Sequence, residues 1–141
     1  MLFSNLFDNT TFNVLKKGIE GTLQRHQAIS NNIANVDTPK YQRATVSFED
    51  QIQRIIKGEG IIGQRTHPAH FIIGGPDEIA RIRPRPDIDQ ETRFRPDKNN
   101  VNIDQEMADL ALNTQKNLEF TELLNRRYTA IEDLIRTAGN R

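Results

Sequence analysis

Residues 30–41 read Ser30-Asn31-Asn32-Ile33-Ala34-Asn35-Val36-Asp37-Thr38-Pro39-Lys40-Tyr41, and this stretch decides where the first long element stops. Upstream, Phe12, Leu15, Ile19, Leu23, Ile29 and Ile33 recur at three-to-four-residue spacing, with His26 on the same stripe, which is the period of an amphipathic helix. Thr10 or Thr11 is placed to cap its start. Asn35, Asp37 and Thr38 compete for backbone hydrogen bonds, and Pro39 pushes its predecessor out of helical geometry, so the helix should end near Ala34. Gly18 and Gly21 lie inside it, each costing about 1 kcal/mol relative to alanine.

Outward from this stop, the prolines set the plan. All six (Pro39, Pro68, Pro76, Pro84, Pro86 and Pro96) lie in the middle of the 141 residues, leaving two proline-free flanks. In the second flank Ile103, Met107, Leu110, Leu124, Tyr128, Ile131, Ile135 and Ala138 follow a seven-residue repeat, with Thr114, Asn117 and Thr121 on the same seam. Asp104, Glu106 and Asp109 load its first turns and Arg136 its last, as the helix dipole favours. A helix over 104–138 would be about 52 Å long at 1.5 Å per residue, so it should project from any compact unit of this size.

These signals predict a mainly α chain with long N- and C-terminal helices in a coiled-coil-like pair and an irregular or partly β middle rich in Pro and Gly. Three segments follow: an N-terminal helix segment over 1–38, a middle over 39–100 and a C-terminal helix over 101–141. In the middle, Ser47 and Asp50 resemble a capping box for a short helix over 47–57 carrying Phe48, Ile52, Ile55 and Ile56 and ended by Gly58. Phe71-Ile72-Ile73 and Ile79-Ala80-Arg81-Ile82 read as brief strands or extended segments. Residues 83–100 hold few apolar side chains and read as a mobile, solvated arm.

Composition narrows the function. Nineteen basic and nineteen acidic residues leave no net field to attract nucleic acid or anionic lipid, and the arginines at 81, 83, 85, 93 and 95 are interrupted by Asp87, Asp89 and Glu91. Without cysteine there is no disulfide, thiol nucleophile or thiolate metal site. His67 and His70 flank a proline, which keeps both imidazoles off one helical face, and the paired carboxylates Glu49-Asp50 and Glu132-Asp133 are adjacent and diverge. No catalytic residue, cofactor or metal is expected. The N-terminal residues do not read as a secretory signal, and no stretch is apolar enough to span a bilayer.

The stretch at 30–41 resembles the signature of flagellar rod, hook and hook-associated proteins, in which a first helix ends in an asparagine-rich turn before a Thr-Pro step. A second segment, Asn99-Asn100-Val101-Asn102-Ile103-Asp104-Gln105-Glu106-Met107-Ala108, is similar to the family's entry into its C-terminal helix. Lys40 and Lys98 stand where that family usually has glycine. The resemblance continues through Asn113, Tyr128 and Ile135, and the short chain with its Phe48-Glu49-Asp50 step looks most like a proximal-rod subunit, a sister subunit of the same rod being the alternative.

What the resemblance implies is a non-enzymatic structural subunit, exported through the flagellar type III pathway without a cleaved signal and assembled in the periplasmic rod. Implied partners are other rod subunits, the rod-to-ring adaptor, the membrane-ring protein and the export apparatus. The expected assembly interface comprises Phe12, Leu15, Ile19, Leu23, Ile29 and Ile33 of the first stripe, and Asn31, Asn32, Asn35, Thr38 and Pro39 of the turn. Met107, Leu110, Leu124, Tyr128, Ile131 and Ile135 complete it from the second helix. A thin core and polar seam positions predict that the terminal helices depend on neighbours for full order. A cytoplasmic coiled-coil adaptor or export chaperone, and a small metal-dependent hydrolase built on His67 and His70, are the competing functions.

Overall fold

The computed structural model describes residues 10–57, 79, 82–89 and 96–139. Among these the elements run α1 (Thr10–Ala34), β1 (Ala44–Val46), α2 (Glu49–Ile56), β2 (Pro86–Ile88) and α3 (Ile103–Gly139). The chain is mainly helical, with a long helix at each end and a short strand and irregular segments between. The motifs His67 and His70, Phe71-Ile72-Ile73 and Gly58 lie outside the described residues, as do Arg81, Arg93 and Arg95.

α1 stops where Asn35 breaks the ladder. The Asn35 N–H is shared between the carbonyls of Asn31 and Asn32, and its own side chain donates back to the Asn31 carbonyl at 2.8 Å. Turns through Val36 and Thr38 follow, and Lys40 then reverses the chain at φ 64°. α3 is capped by Asn102, whose side-chain oxygen accepts the N–H groups of Asp104 (3.0 Å) and Gln105 (3.4 Å). Its 37 residues span about 55 Å at 1.5 Å per residue.

α1 and α3 pack antiparallel. Descending α3, Tyr128 meets Phe12, Phe120 covers Gly18, Asn117 and Asn113 meet Thr22, and Glu106 meets Asn32. The α3 positions toward α1 are therefore 106, 110, 113, 117, 120, 124, 128 and 131. They alternate by four and three except for one 4-4 step at 120–124–128, a stutter that locally unwinds a coiled coil. The expected seam shares 110, 117, 124, 128 and 131 with this set, but nearer the start of α3 it lies one residue off. Met107 and Thr114 face away, and Glu106 and Asn113 are buried instead.

On its other side α1 carries a small core made by Ala28, Val46, Phe48, Ile52, Ile79 and Ile82, flanked by Val14, Ala44 and Ile55. The two glycines of α1 permit both contacts, since a Cβ on Gly21 would sit 2.5 Å from the Phe48 ring and one on Gly18 2.7 Å from Phe120. Their low helix propensity is the cost of close approach. α2 has no side-chain cap: Phe48 occupies the position before its first turn, and Ser47 is exposed rather than capping. Ile79 is helical and accepts the Ile82 N–H at 3.2 Å, so neither residue lies in a strand.

The arm expected over 83–100 is tied down wherever it is described. Pro86–Ile88 pairs antiparallel with β1 in the register Ala44↔Ile88, Thr45↔Asp87 and Val46↔Pro86, and Asn99 and Asn100 are buried. Pairing supplies the order that apolar content does not. The backbone polar groups find partners in a two-stranded ribbon, and two side-chain amides anchor the return to α3.

Candidate functional site: an asparagine clasp and the outer faces of the helix pair

The asparagines of both motifs converge at one end of the helix pair. Asn32, fully buried, accepts from the Ala44 N–H (2.9 Å) and the Tyr41 hydroxyl (3.2 Å) and donates to the Ala44 carbonyl (2.8 Å) and the Glu106 carboxylate (3.1 Å). All four hydrogen-bonding sites of the amide are filled, and toward Ala44 it acts as a further strand would. Asn99, also fully buried, brings its Nδ2 within 2.9 to 3.0 Å of the carbonyls of Asn35, Val36 and Thr38, while its Oδ1 accepts the Val101 N–H at 2.8 Å. The exit from α1 is thus capped from the other end of the chain. Asn100 accepts the Arg43 N–H (2.6 Å) and donates to the Asp89 carbonyl (2.9 Å).

Charge completes the clasp. Glu106 has no exposed surface, and its carboxylate is held by the Arg43 guanidinium as well as by Asn32. The same guanidinium reaches Asp109 at 2.8 Å. A buried carboxylate is stable only when paired and hydrogen-bonded in this way. Burial, and then the negative charge of Glu106, raise the pKa of the Tyr41 hydroxyl, which donates to Asn32. Two left-handed residues bring the segments together: Lys40 (φ 64°) and Lys98 (φ 66°) sit in adjoining turns, with the Lys40 N–H donating to the Asp97 carbonyl at 3.0 Å. Both lysines hold the conformation glycine adopts freely, so replacing glycine does not abolish the turn.

Farther along, Arg25 ties α1 to the core. Its guanidinium lies 4.9 Å from the Phe48 ring centroid, donates to the Val46 carbonyl at 2.9 Å and pairs with Glu49 at 2.7 Å. Lys116 of α3 adds a second cation at 3.2 Å. Burial pushes the Glu49 carboxyl up, but the hydrogen bonds and charge of Arg25, its own backbone N–H and Lys116 bring it down to about 2. Beside these groups a cavity of about 350 Å³ opens between α1, β1 and α3, walled by Ile29, Ala44 and Leu112.

A sequence model for the flagella basal body rod protein family matches residues 18–42, which span the end of α1 and Asn32. Named relatives extend the match along the chain. The flagellar basal body rod protein FlgB of Yersinia ruckeri is 32% identical over 103 residues, 66% of this chain and 69% of the relative. That of Borrelia hermsii is 28% identical over 120 residues (79% and 85%), and that of Bacillus subtilis 27% over 131 residues (93% and 96%). The chain belongs to the FlgB family of flagellar basal body rod proteins. It is a flagellar rod subunit, and that family is a structural component of the basal body.

For a FlgB-family chain, the residues expected at the assembly interface divide sharply. Phe12, Leu15, Ile29, Asn32 and Ile131 are buried within the chain itself, so they serve the helix pair and the clasp, and offer no surface to a neighbour as the chain is folded here. Ile19, Ile33, Asn35, Leu110 and Leu124 are half-buried. Leu23, Asn31, Thr38, Pro39, Met107, Tyr128 and Ile135 keep exposed surface. Sequence reasoning missed Arg43 and Phe120, and it named Asn99, Asn100 and Glu106 only as part of the second motif, without a role in joining the helices. The available signal was the seven-residue spacing of Glu106, Asn113 and Phe120, masked because two of the three are polar.

Proposed function

We propose that this rod subunit polymerises with its neighbours through the outer faces of its terminal helices, and in the proximal rod links the membrane ring to the rest of the rod. The observation that carries the reading is the apolar surface left on α3 after its inner face is closed by α1. Among the described residues Met107, Leu112, Leu118, Leu123, Leu134 and Ile135 are large, apolar and exposed, Leu118 and Leu134 by more than 60%. A solitary soluble helix pair gains nothing from such a surface, whereas a subunit in a growing helical array buries it. Leu112, Leu123 and Leu134 recur every eleven residues, which keeps them within about 40° of one another around α3, and steps them about 16 Å apart along it.

In this reading Leu23, Met107, Tyr128 and Ile135 belong to the surface offered to neighbours, together with the exposed turn at Asn31, Thr38 and Pro39. The rod-to-ring adaptor, the membrane-ring protein and the export apparatus are the further partners, and the site of assembly is the periplasmic rod. The double variant Leu123→Asp/Leu134→Asp tests it. Its helix content should match the parent by circular dichroism, because both residues are exposed, while its recovery in purified basal bodies and the swimming of cells that depend on it should be lost. Normal swimming would sink the assignment of this face.

A further inference from the structure

We propose that Asn99 is a positioning residue for assembly, setting the angle and register between the two terminal helices although it is buried and offers no surface to a neighbour. The inference rests on the rod reading for its consequence in the cell, and on the clasp alone for its consequence in the isolated protein.

The chain leaves α1 through a turn whose carbonyls at Asn35, Val36 and Thr38 all point to one side-chain amide, 2.9 to 3.0 Å away. The same side chain accepts the N–H of Val101, two residues before α3 begins. One residue therefore joins the end of the first helix to the entry of the last, across more than sixty positions of sequence. Neighbouring contacts repeat the join. Asn100 links Arg43 to Asp89, Lys40 bonds to Asp97, and Asn32 meets Glu106 inside α3.

Away from this end, the helix pair is held by fewer directional contacts, two to Thr22 and the shared hold of Arg25 and Lys116 on Glu49. Phe120 lies on Gly18, Thr22 takes two asparagines, and Tyr128 packs edge-on against Phe12 while remaining 45% exposed. The Phe120 and Tyr128 contacts are apolar and tolerate sliding and tilting, and the two hydrogen bonds to Thr22 fix the pair at one point only, whereas the Asn99 amide is held to the turn after α1 on one side and to Val101 on the other. A change of a few degrees at the clasp is multiplied along the 37 residues of α3, so Leu123 and Leu134 would reach a neighbour out of line.

The chain has no cysteine, so spin labels can be placed at will. Lys16→Cys on α1 and Arg126→Cys on α3, both exposed, report the separation of the helices away from the clasp. In this background Asn99→Asp keeps the size and the acceptor for Val101 but removes both donors and sets a carboxylate against carbonyl oxygens. It should broaden the label distance distribution at temperatures where far-ultraviolet circular dichroism still reports helix, and reduce recovery in basal bodies at least tenfold. Ile52→Ala, in the core and away from the clasp, should lower the melting temperature while leaving the distribution narrow. A narrow, parental distribution in Asn99→Asp, or equal broadening in Ile52→Ala, overturns the proposal. Should Asn99→Asp fail to fold, Asn99→Ser with its single donor hydrogen takes its place, and a parental distribution there overturns the proposal equally. A broadened distribution with normal recovery overturns the positioning role while leaving the rod reading intact. Normal recovery of Leu123→Asp/Leu134→Asp strikes the rod interface instead and leaves the distance result standing.

Discussion

The two ends of the helix pair are built on different physics. At the clasped end, side chains from 32, 43, 99, 100 and 106 are fastened to one another or to facing backbone by directional hydrogen bonds and an ion pair. At the open end, α3 runs on past the region where α1 is described, with Leu134 and Ile135 exposed and Phe12, Tyr128 and Ile131 as its main packing. Directional polar contacts specify geometry, and exposed apolar surface supplies association. The arrangement lets one end determine how the other is presented. Amide hydrogen exchange should show the division directly, with slow exchange over the clasp and fast exchange over 132–139, and uniform protection along α3 in dilute protein would break the comparison.

The largest effect should come from opening the clasp at its charge. Glu106→Ala leaves Arg43 with Asp109 alone and removes a partner of Asn32, and losing one member of a buried pair costs about 3 kcal/mol. Chemical denaturation should record that loss. A cost under about 1 kcal/mol, the range of exposed pairs, would show that the clasp contributes little. Next, Gly21→Ala should cost about 2 kcal/mol, because its Cβ would strike the fully buried Phe48 ring, and Gly18→Ala about 1 kcal/mol, because the Phe120 ring it would strike is only half-buried. Thermal unfolding of the two variants ranks them, and the reverse order would mean that the Phe120 contact is the more rigid.

How much of this was legible in the sequence differs between the same two ends. The stop of α1 near Ala34 follows from Asn35 to Pro39, and the open-end seam through Leu124, Tyr128 and Ile131 follows from apolar spacing, because in both places local chemistry decides. At the clasp the deciding residues are polar, and nothing local says that Glu106 and Asn113 face inward. Their partners, Arg43 and Thr22, lie more than sixty residues away. The same holds for Asn99, which the sequence places both at the end of a solvated arm and at the start of the second motif, with nothing local to show its partners at Asn35, Val36 and Thr38. The family match at 18–42 covers Asn32, but its role as a strand-like partner of Ala44 appears only once the chain is folded.

The left-handed lysines offer a gain instead of a loss. A non-glycine residue at positive φ costs about 1 kcal/mol or more, and glycine returns part of that to the unfolded chain as entropy. Lys40→Gly and Lys98→Gly should therefore each stabilise by about 0.5 kcal/mol, seen as a small rise in melting temperature. A fall in either would mean that the lysine side chain makes a contact worth more than the strain.

The smallest effect concerns Glu49, which ties α2 to both long helices and belongs to neither end. Its folded pKa, about 2, is below its ordinary value of 4.5, so it contributes stability above pH 4.5, and this contribution is lost as pH falls from 4.5 toward 2. The carboxylate is partly exposed, and solvent screening keeps the contribution small. Other carboxylates titrate over the same range, so the informative quantity is the difference in melting temperature between the parent and Glu49→Gln. The parent should melt higher at pH 7, and the gap should close as pH approaches 2. A gap independent of pH would assign the effect of Glu49 to packing and hydrogen bonding, not to its charge beside Arg25 and Lys116, and would leave the clasp at Glu106 as the charged joint the helices depend on.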